Sequence, residues 1–237
     1  MNQIDDAFVA GQLMPLDPDC WQITAGFVYI PKGEFMMGSE SSDWEKPVHK
    51  VIISKSFEMC RYQITQQQWQ AVMGKNPSKF RGDNLPVETV SWLDVQKFIT
   101  KLNAKSNKYV YALPTEAQWE YACRAGITED YLGNLDDIAW YRENSASTTH
   151  PVGEKLPNSW GIYDCQGNVW EWCLDWYGDY PNEEIIDPVG ASLGSYRVIR
   201  GGSCISLPAR CRLASRYINL PADHYFTIGF RLVRNIK

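Results

Sequence analysis

The sequence predicts an α+β domain in which short strands open and close the chain and helices crowd its first half. Three observations carry that prediction. Runs rich in β-branched and aromatic residues occur near both ends, and three segments between residues 65 and 126 carry helix-capping signals. From Gly126 onward Gly, Pro, Asn and Trp displace any regular period, so the second half is expected to be loop-rich.

Taken in order, Phe27 to Phe35 (FVYIPKGEF) and Val48 to Phe57 (VHKVIISKSF) read as strands broken by Pro and Gly. Thr65 with Gln68 three residues on forms a capping box ahead of QQQWQAVM, and Gly74 stops that helix. Ser91 starts a second helix whose Val95, Phe98, Ile99 and Leu102 share one stripe. Thr115 and Gln118 cap a third, which Gly126 ends. The stretch HPVGEKLPNSWGIYDCQGNVWEWCLDWYGDYP then has loop character throughout. Loops of that length need buried anchors or a function, and Trp160, Trp170, Trp172 and Trp176 are the expected anchors. Closing strands are expected at Arg197–Ile199 and Gly229–Arg234. With no internal repeat or low-complexity linker, the expectation is a single domain over residues 21–237 after an N-terminal arm, 1–20.

At 237 residues, 44% apolar and 13% aromatic, the chain can bury a large core unaided. The net charge of −5 and the absence of a Lys/Arg cluster exclude a phosphate-binding surface, so no nucleic-acid partner is expected. The first twenty residues hold no basic start and no apolar run long enough for a signal peptide or membrane span. A soluble chain is therefore expected, with membrane association only through a lipid anchor that the given sequence does not contain. The seven cysteines, at 20, 60, 123, 165, 173, 204 and 211, follow no zinc spacing, and most are expected to be buried thiols.

One segment resists this reading. RYINLPADHYFTIGFRL, Arg216 to Leu232, carries Tyr217, Ile218, Leu220, His224, Tyr225 and Phe226 with neither strand alternation nor helical spacing. From Ser203 to Arg234 the chain contains no Lys, Glu, Gln, Met or Trp, types that are plentiful before it.

The motifs FMMGS, LPTEAQWEYACRAG, HPVGEKLPNSWGIYDCQGNVWEW, RGGS, CRLASR and GFRLV, in that order, make the chain resemble the formylglycine-generating-enzyme or sulfatase-modifying-factor type of domain, a branch of the C-type-lectin fold. The resemblance spans Phe27 to Arg234 and implies that fold. It does not settle activity, because the family includes oxidases, sulfoxide synthases and non-enzymatic binders. The oxidases use two cysteines beyond the Gly-Gly-Ser segment and bind copper(I), which suits thiolates. Cys204 and Cys211 are the candidates for that alternative, but they are spaced more widely than the family pair, and Pro208 stands where the second cysteine belongs. The iron-dependent branch needs clustered histidines, whereas His49, His150 and His224 are all this chain has.

The tail from Ser203 also resembles the variable region of proteins diversified by retroelements, as in the treponemal variable proteins, where adenines of AAC codons are replaced at random. Such codons never yield the five missing residue types. The resemblance implies a fixed frame of Arg200, Gly201, Gly202, Ser203, Cys211, Arg212, Ala214, Arg216, Pro221, Ile228, Gly229, Phe230 and Arg231. It implies interchangeable, ligand-binding slots at Ile205, Ser206, Leu207, Ala209, Leu213, Tyr217, Ile218, Asn219, Leu220, Asp223, His224, Tyr225, Phe226 and Thr227, within a variable region of about 203–231. Cys204 departs from the pattern, since related frames usually have Trp there. Grouped exposed aromatics suit a binding patch, as rigid rings give contact area at low entropic cost; the bland reading is that Ile218, Leu220 and Phe226 are core in closing strands. Phe230 and Leu232 are expected in the core on either reading.

In the same family the loop before WEW wraps a calcium ion, and Asp164, Gly167, Val169 and Glu171 match its ligand positions. The resemblance thus implies a structural calcium, although Glu171 could instead pair with an arginine or cap backbone amides. No catalytic residue or required cofactor is expected. The implied function is non-enzymatic binding of a protein or cell-surface ligand at a bacterial cell surface, with a copper oxidase using Cys204 and Cys211, or an undiversified interaction scaffold, as alternatives.

Overall fold

In the computed structural model, which describes residues 26–237, the two ends of the described chain meet in one antiparallel sheet. Its order is β1 (Phe27–Ile30), β4 (Phe57–Cys60), β11 (Val233–Ile236) and β5 (Tyr109–Ala112), so the last strand lies between two early ones. A second sheet runs β10 (Ile228–Gly229), β6 (Trp170–Trp176), β8 (Arg197–Arg200) and β9 (Arg216–Asn219). A third pairs β2 (Gly33–Met37) with β3 (His49–Ile53) and β7 (Ile185–Ile186). The N-terminal arm and Cys20 lie outside the described residues.

The helices follow their caps. Thr65 and Gln68 exchange reciprocal bonds at the start of α1 (Gln66–Met73), and Gly74 closes it in the left-handed region at φ 81°. Ser91 accepts from the Asp94 amide ahead of α2 (Trp92–Lys105), and Thr115 with Gln118 boxes α3 (Glu116–Arg124). Ala125 takes the left-handed cap of α3, with Gly126 the residue after it. A one-turn helix, α4 (Leu135–Ile138), was not expected.

The strands depart from expectation in instructive ways. The run at 27–35 breaks around Pro31, and its halves join different sheets. Pro31 offers no amide to a ladder, so the break falls where pairing cannot continue. The run at 48–57 divides likewise into β3 and β4. The expected closing strand 229–234 is interrupted at Phe230, Arg231 and Leu232, all fully buried. β6, in the stretch expected to be loop, is the longest strand, and its first five residues are buried with one partial exception only at Leu174. A strand covered on both faces shows no alternation, which explains why its sequence read as irregular.

Among the described residues two large apolar cores form, beside a small cluster of Ile138, Ala139, Tyr141 and Cys211. One packs α1 and α2 around a stack of Trp69 on Phe98 at 5.2 Å, with Phe230 edge-on to Phe98 at 5.4 Å. The other lies beneath α3 and holds Trp119, Ile162, Val198 and Leu213. Of the expected anchors Trp172 is sealed, its indole donating to the Val90 carbonyl at 3.0 Å, and Trp170 is buried, whereas Trp160 and Trp176 are half-buried. All six described cysteines are buried thiols.

Candidate ligand-binding face

The closing segment is held from below by ion pairs within the core. Arg200 donates to Glu116 Oε1 at 2.6 Å, to Glu120 Oε2 at 2.5 Å and to the Leu213 carbonyl at 2.7 Å. Arg216 grips both Glu116 oxygens, at 2.8 and 2.7 Å, and reaches the carbonyls of Trp44 and Gly178. Arg231 grips both Glu171 oxygens at 2.6 Å. Burial pushes the Glu116 carboxyl up, but the guanidiniums of Arg216 and Arg200 outweigh it and hold it below its ordinary range. Glu116 and Glu120 lie one turn apart on α3, so a single rigid helix presents both carboxylates to the segment.

The main chain of the tail is pinned as firmly. Residues 168–170 form its spine: the Asn168 carbonyl accepts from Cys204 N at 2.8 Å, and Trp170 N donates to the Thr227 carbonyl at 2.8 Å. Thr89 N donates to the Tyr225 carbonyl, Leu93 N to the Pro221 carbonyl and Arg142 N to the Ser206 carbonyl. β9 is zipped to β8 with Tyr217 opposite Ile199. Gly167 makes room for this arrangement, since at φ 89° a Cβ there would lie 2.3 Å from the Trp140 carbonyl oxygen. Gly202 is constrained similarly, by Cys211 Sγ at 2.7 Å.

Upon that support the slots divide three ways. Ile205, Leu207, Ala209, Tyr217, Leu220, His224 and Tyr225 are exposed, with Tyr217 at 40% and Tyr225 at 49%. Ile218, Asn219, Asp223, Phe226 and Thr227 are half-buried. Two expectations are corrected. Leu213 is wholly buried beneath α3, in the core with Trp119 and Val198, so it is a packing residue. Ser206 is buried because its hydroxyl accepts from the Ser203 amide at 2.9 Å and meets the Ser203 hydroxyl at 3.0 Å, closing the turn.

Residues outside the slots also pack against them, and of these only Trp170 was signalled by the sequence, as an anchor. The Tyr217 ring lies near-parallel to Trp170 at 5.9 Å and to Trp44 at 6.0 Å, and Trp44 meets Tyr177 at 5.7 Å. Arg210 lies over Tyr217 at 5.2 Å, and Lys79 over Phe226 at 4.1 Å. His224 Nε2 is 3.3 Å from Asp94 Oδ2. Trp44 lies more than 120 residues from Trp170 and Tyr177, which lie at the two ends of β6, so only the fold brings all three beside Tyr217. None of the slots lines either of two open clefts, of about 660 and 460 Å³, which lie elsewhere on the molecule.

The copper alternative meets chemical resistance. Cys204 and Cys211 are fully buried, and burial pushes their thiols up to about 11 and about 12, which disfavours the thiolate in the metal-free chain. The histidines are engaged separately: His49 Nδ1 with the Pro47 carbonyl, His150 stacked on Trp140 at 3.7 Å, and His224 on the face. At the loop matched to a calcium site, the carbonyls of Asp164, Gly167 and Val169 and the Glu171 carboxylate do converge. They converge on the Gln63 amide nitrogen, while Glu171 is spent on Arg231 and on the Trp119 indole at 2.7 Å. Burial pushes the Asp164 carboxyl up to about 6, and it accepts from Gly153 N instead. The residues present do not fit a calcium ion.

The chain is similar to several known proteins. The chaperone protein LppX of Paenibacillus barcinonensis is 30% identical over 211 residues, covering 66% of this chain and 72% of LppX. The formylglycine-generating enzyme of Streptomyces coelicolor is 32% identical over 193 residues, covering 69% of this chain and 59% of the enzyme. Serine/threonine-protein kinase pkn1 of Chlamydia pneumoniae is 32% identical across 93% of this chain, which spans only 40% of that protein. Among solved structures, variable protein 1 of Treponema denticola superposes with a TM-score of 0.84 at 29% identity, covering 94% of this chain and 98% of that one. PvdO of Pseudomonas aeruginosa gives 0.85 at 26% identity, covering 97% and 100%. The architecture is the C-type-lectin fold in its formylglycine-generating-enzyme branch, and the chain, matched from residue 15 to 236 by the sulfatase-modifying factor enzyme 1-like domain, belongs to that family.

Proposed function

We propose that the chain is a non-enzymatic binding protein displayed at a bacterial cell surface, whose C-terminal face is varied by retroelement mutagenesis and takes a protein or cell-surface ligand. One observation carries this reading: the exposed slots sit on a main chain whose shape is set by groups outside them. Arg200, Arg216 and Arg231 pair with glutamates of α3 and β6, and main-chain bonds from Asn168, Trp170, Thr89 and Leu93 tie down the loops between. Side chains at Leu207, Tyr217, Leu220 or Tyr225 can therefore change without refolding the tail. That the slots line neither of the two described clefts favours a macromolecular ligand over a small one, and the Trp44 and Tyr177 rings supply a constant aromatic contact beside the varied ones. Likeness to variable protein 1 of Treponema denticola supports the same reading.

The test is the neighbouring DNA. It should hold a reverse transcriptase gene and a near-copy of the segment from codon 203 to 231, with adenines at the codons of the exposed slots. A missing copy, or adenines falling on Arg216, Arg231 or buried Leu213, overturns the proposal. Enzymatic activity is tested separately by copper titration with a peptide-oxidation assay. No turnover is expected, and turnover abolished by Cys211→Ser would make the chain an oxidase.

A further inference from the structure

We propose that the side-chain amide of Gln63 takes the place of a cation at the 164–171 loop, so that the binding face is built without metal. The amide nitrogen lies 3.2, 3.4 and 3.0 Å from the carbonyl oxygens of Asp164, Gly167 and Val169 and 3.0 Å from Glu171 Oε1. Four oxygens from one turn thus face a single atom brought from about a hundred residues earlier in the chain. Cages of carbonyl and carboxylate oxygens are what hard cations use, but calcium draws its ligands to about 2.3–2.6 Å. The separations here are those of N–H···O bonds.

Charge points the same way. A divalent ion needs carboxylate charge that is not already neutralised, and the one carboxylate of the cage is gripped through both oxygens by Arg231. The same guanidinium reaches the Asp164 carbonyl at 3.3 Å, so it shares two of the four cage oxygens. A cation seated among them would lie against a buried positive charge that already neutralises the one carboxylate of the cage. The neutral amide avoids that conflict: its two N–H groups are shared among four acceptors and add no charge. Gln63 Oε1, on the far side, is buried with no hydrogen-bond partner among the described residues. The reversed amide would aim Oε1 at four oxygens, an arrangement that only a cation could relieve. The two states are therefore mutually exclusive and experimentally separable.

The consequence reaches the face, because residues 168–170 are the spine that holds the Cys204 and Thr227 ends of the tail. Its geometry should not depend on calcium. The experiment compares thermal unfolding of the wild-type chain in EDTA and in millimolar calcium, and probes the loop with terbium, whose emission would be sensitised by Trp119 on the same carboxylate. Melting temperatures agreeing within about 1 °C, with no saturable terbium emission, are expected for a chain of this size. Gln63→Met, which keeps the volume and removes both donors, should melt several degrees lower in both media, with no recovery on adding calcium. A larger calcium-induced rise in the wild type, terbium emission that calcium competes away, or a Gln63→Met variant as stable as the wild type would each overturn the proposal. If Gln63→Met does not fold, the two wild-type measurements decide it.

Discussion

Glu116 is the residue on which the framework can be tested most severely. Its two oxygens take three bonds from Arg200 and Arg216, at 2.6, 2.8 and 2.7 Å, and a fourth from the Tyr180 hydroxyl at 3.1 Å. Glu116→Ala would leave two guanidiniums, 0% and 3% exposed, facing each other without their shared carboxylate. Removing one partner from a buried pair costs about 3–5 kcal/mol. For a chain of this size each kcal/mol lowers the melting temperature by about 2–4 °C, so the expected fall is about 6–20 °C. The pH dependence has a definite sign. A carboxyl held below its ordinary 4.5 contributes stability that is complete above about pH 4.5 and is lost as pH falls through its folded value. Calorimetry at pH 7 and at pH 4 should therefore show a smaller gap between wild type and Glu116→Ala at the lower pH. A Glu116→Ala protein melting within about 2 °C of wild type at pH 7 would refute the reasoning, because the tail would then be held by something other than this network.

Two further outcomes follow chiefly from burial. Leu213→Ala should cost about 2–5 kcal/mol because the side chain is sealed in the core, whereas Leu220→Ala, 43% exposed, should cost about 1 kcal/mol or less, as read by urea unfolding; equal costs would contradict the division of the slots. Burial, reinforced by the Glu116 charge, pushes Asp175 up to about 7, so the folded state binds its proton more tightly and stability drains away as pH rises from about 4 to 7. Asp175→Asn, whose carbonyl can still accept from Glu116 N, should be more stable than wild type at pH 8 by an amount on the order of a few kcal/mol, and a loss there would show that the carboxylate is needed ionised.

What the sequence revealed and concealed follows from where the information resides. Helix starts are local events, so Thr65 with Gln68 and Thr115 with Gln118 could be read directly. β6 could not, because burial on both faces erases alternation, and its Trp-rich run looked like loop. β9 was hidden for a different reason: only four residues form it, and just Tyr217 turns fully outward at the sheet edge. The residue-type bias from Ser203 onward located the variable tail but carries no information on burial, which is why Leu213 and Ser206 were placed among the slots. Trp44, Tyr177 and Gln63 act through partners far along the chain, and no spacing between neighbours announces such contacts.

The central claim is that the framework alone fixes the shape of the tail. Its most direct measurement is a library in which the codons for Ile205, Leu207, Tyr217, Leu220, His224 and Tyr225 are replaced together by fully mixed first and second bases followed by C, with unfolding recorded clone by clone. Exposed substitutions change stability by about 0.5 kcal/mol each, so most clones should unfold cooperatively with melting temperatures within about 10 °C of the parent. A library in which most clones aggregate or lose cooperative unfolding would mean that these side chains build the fold they were taken to decorate.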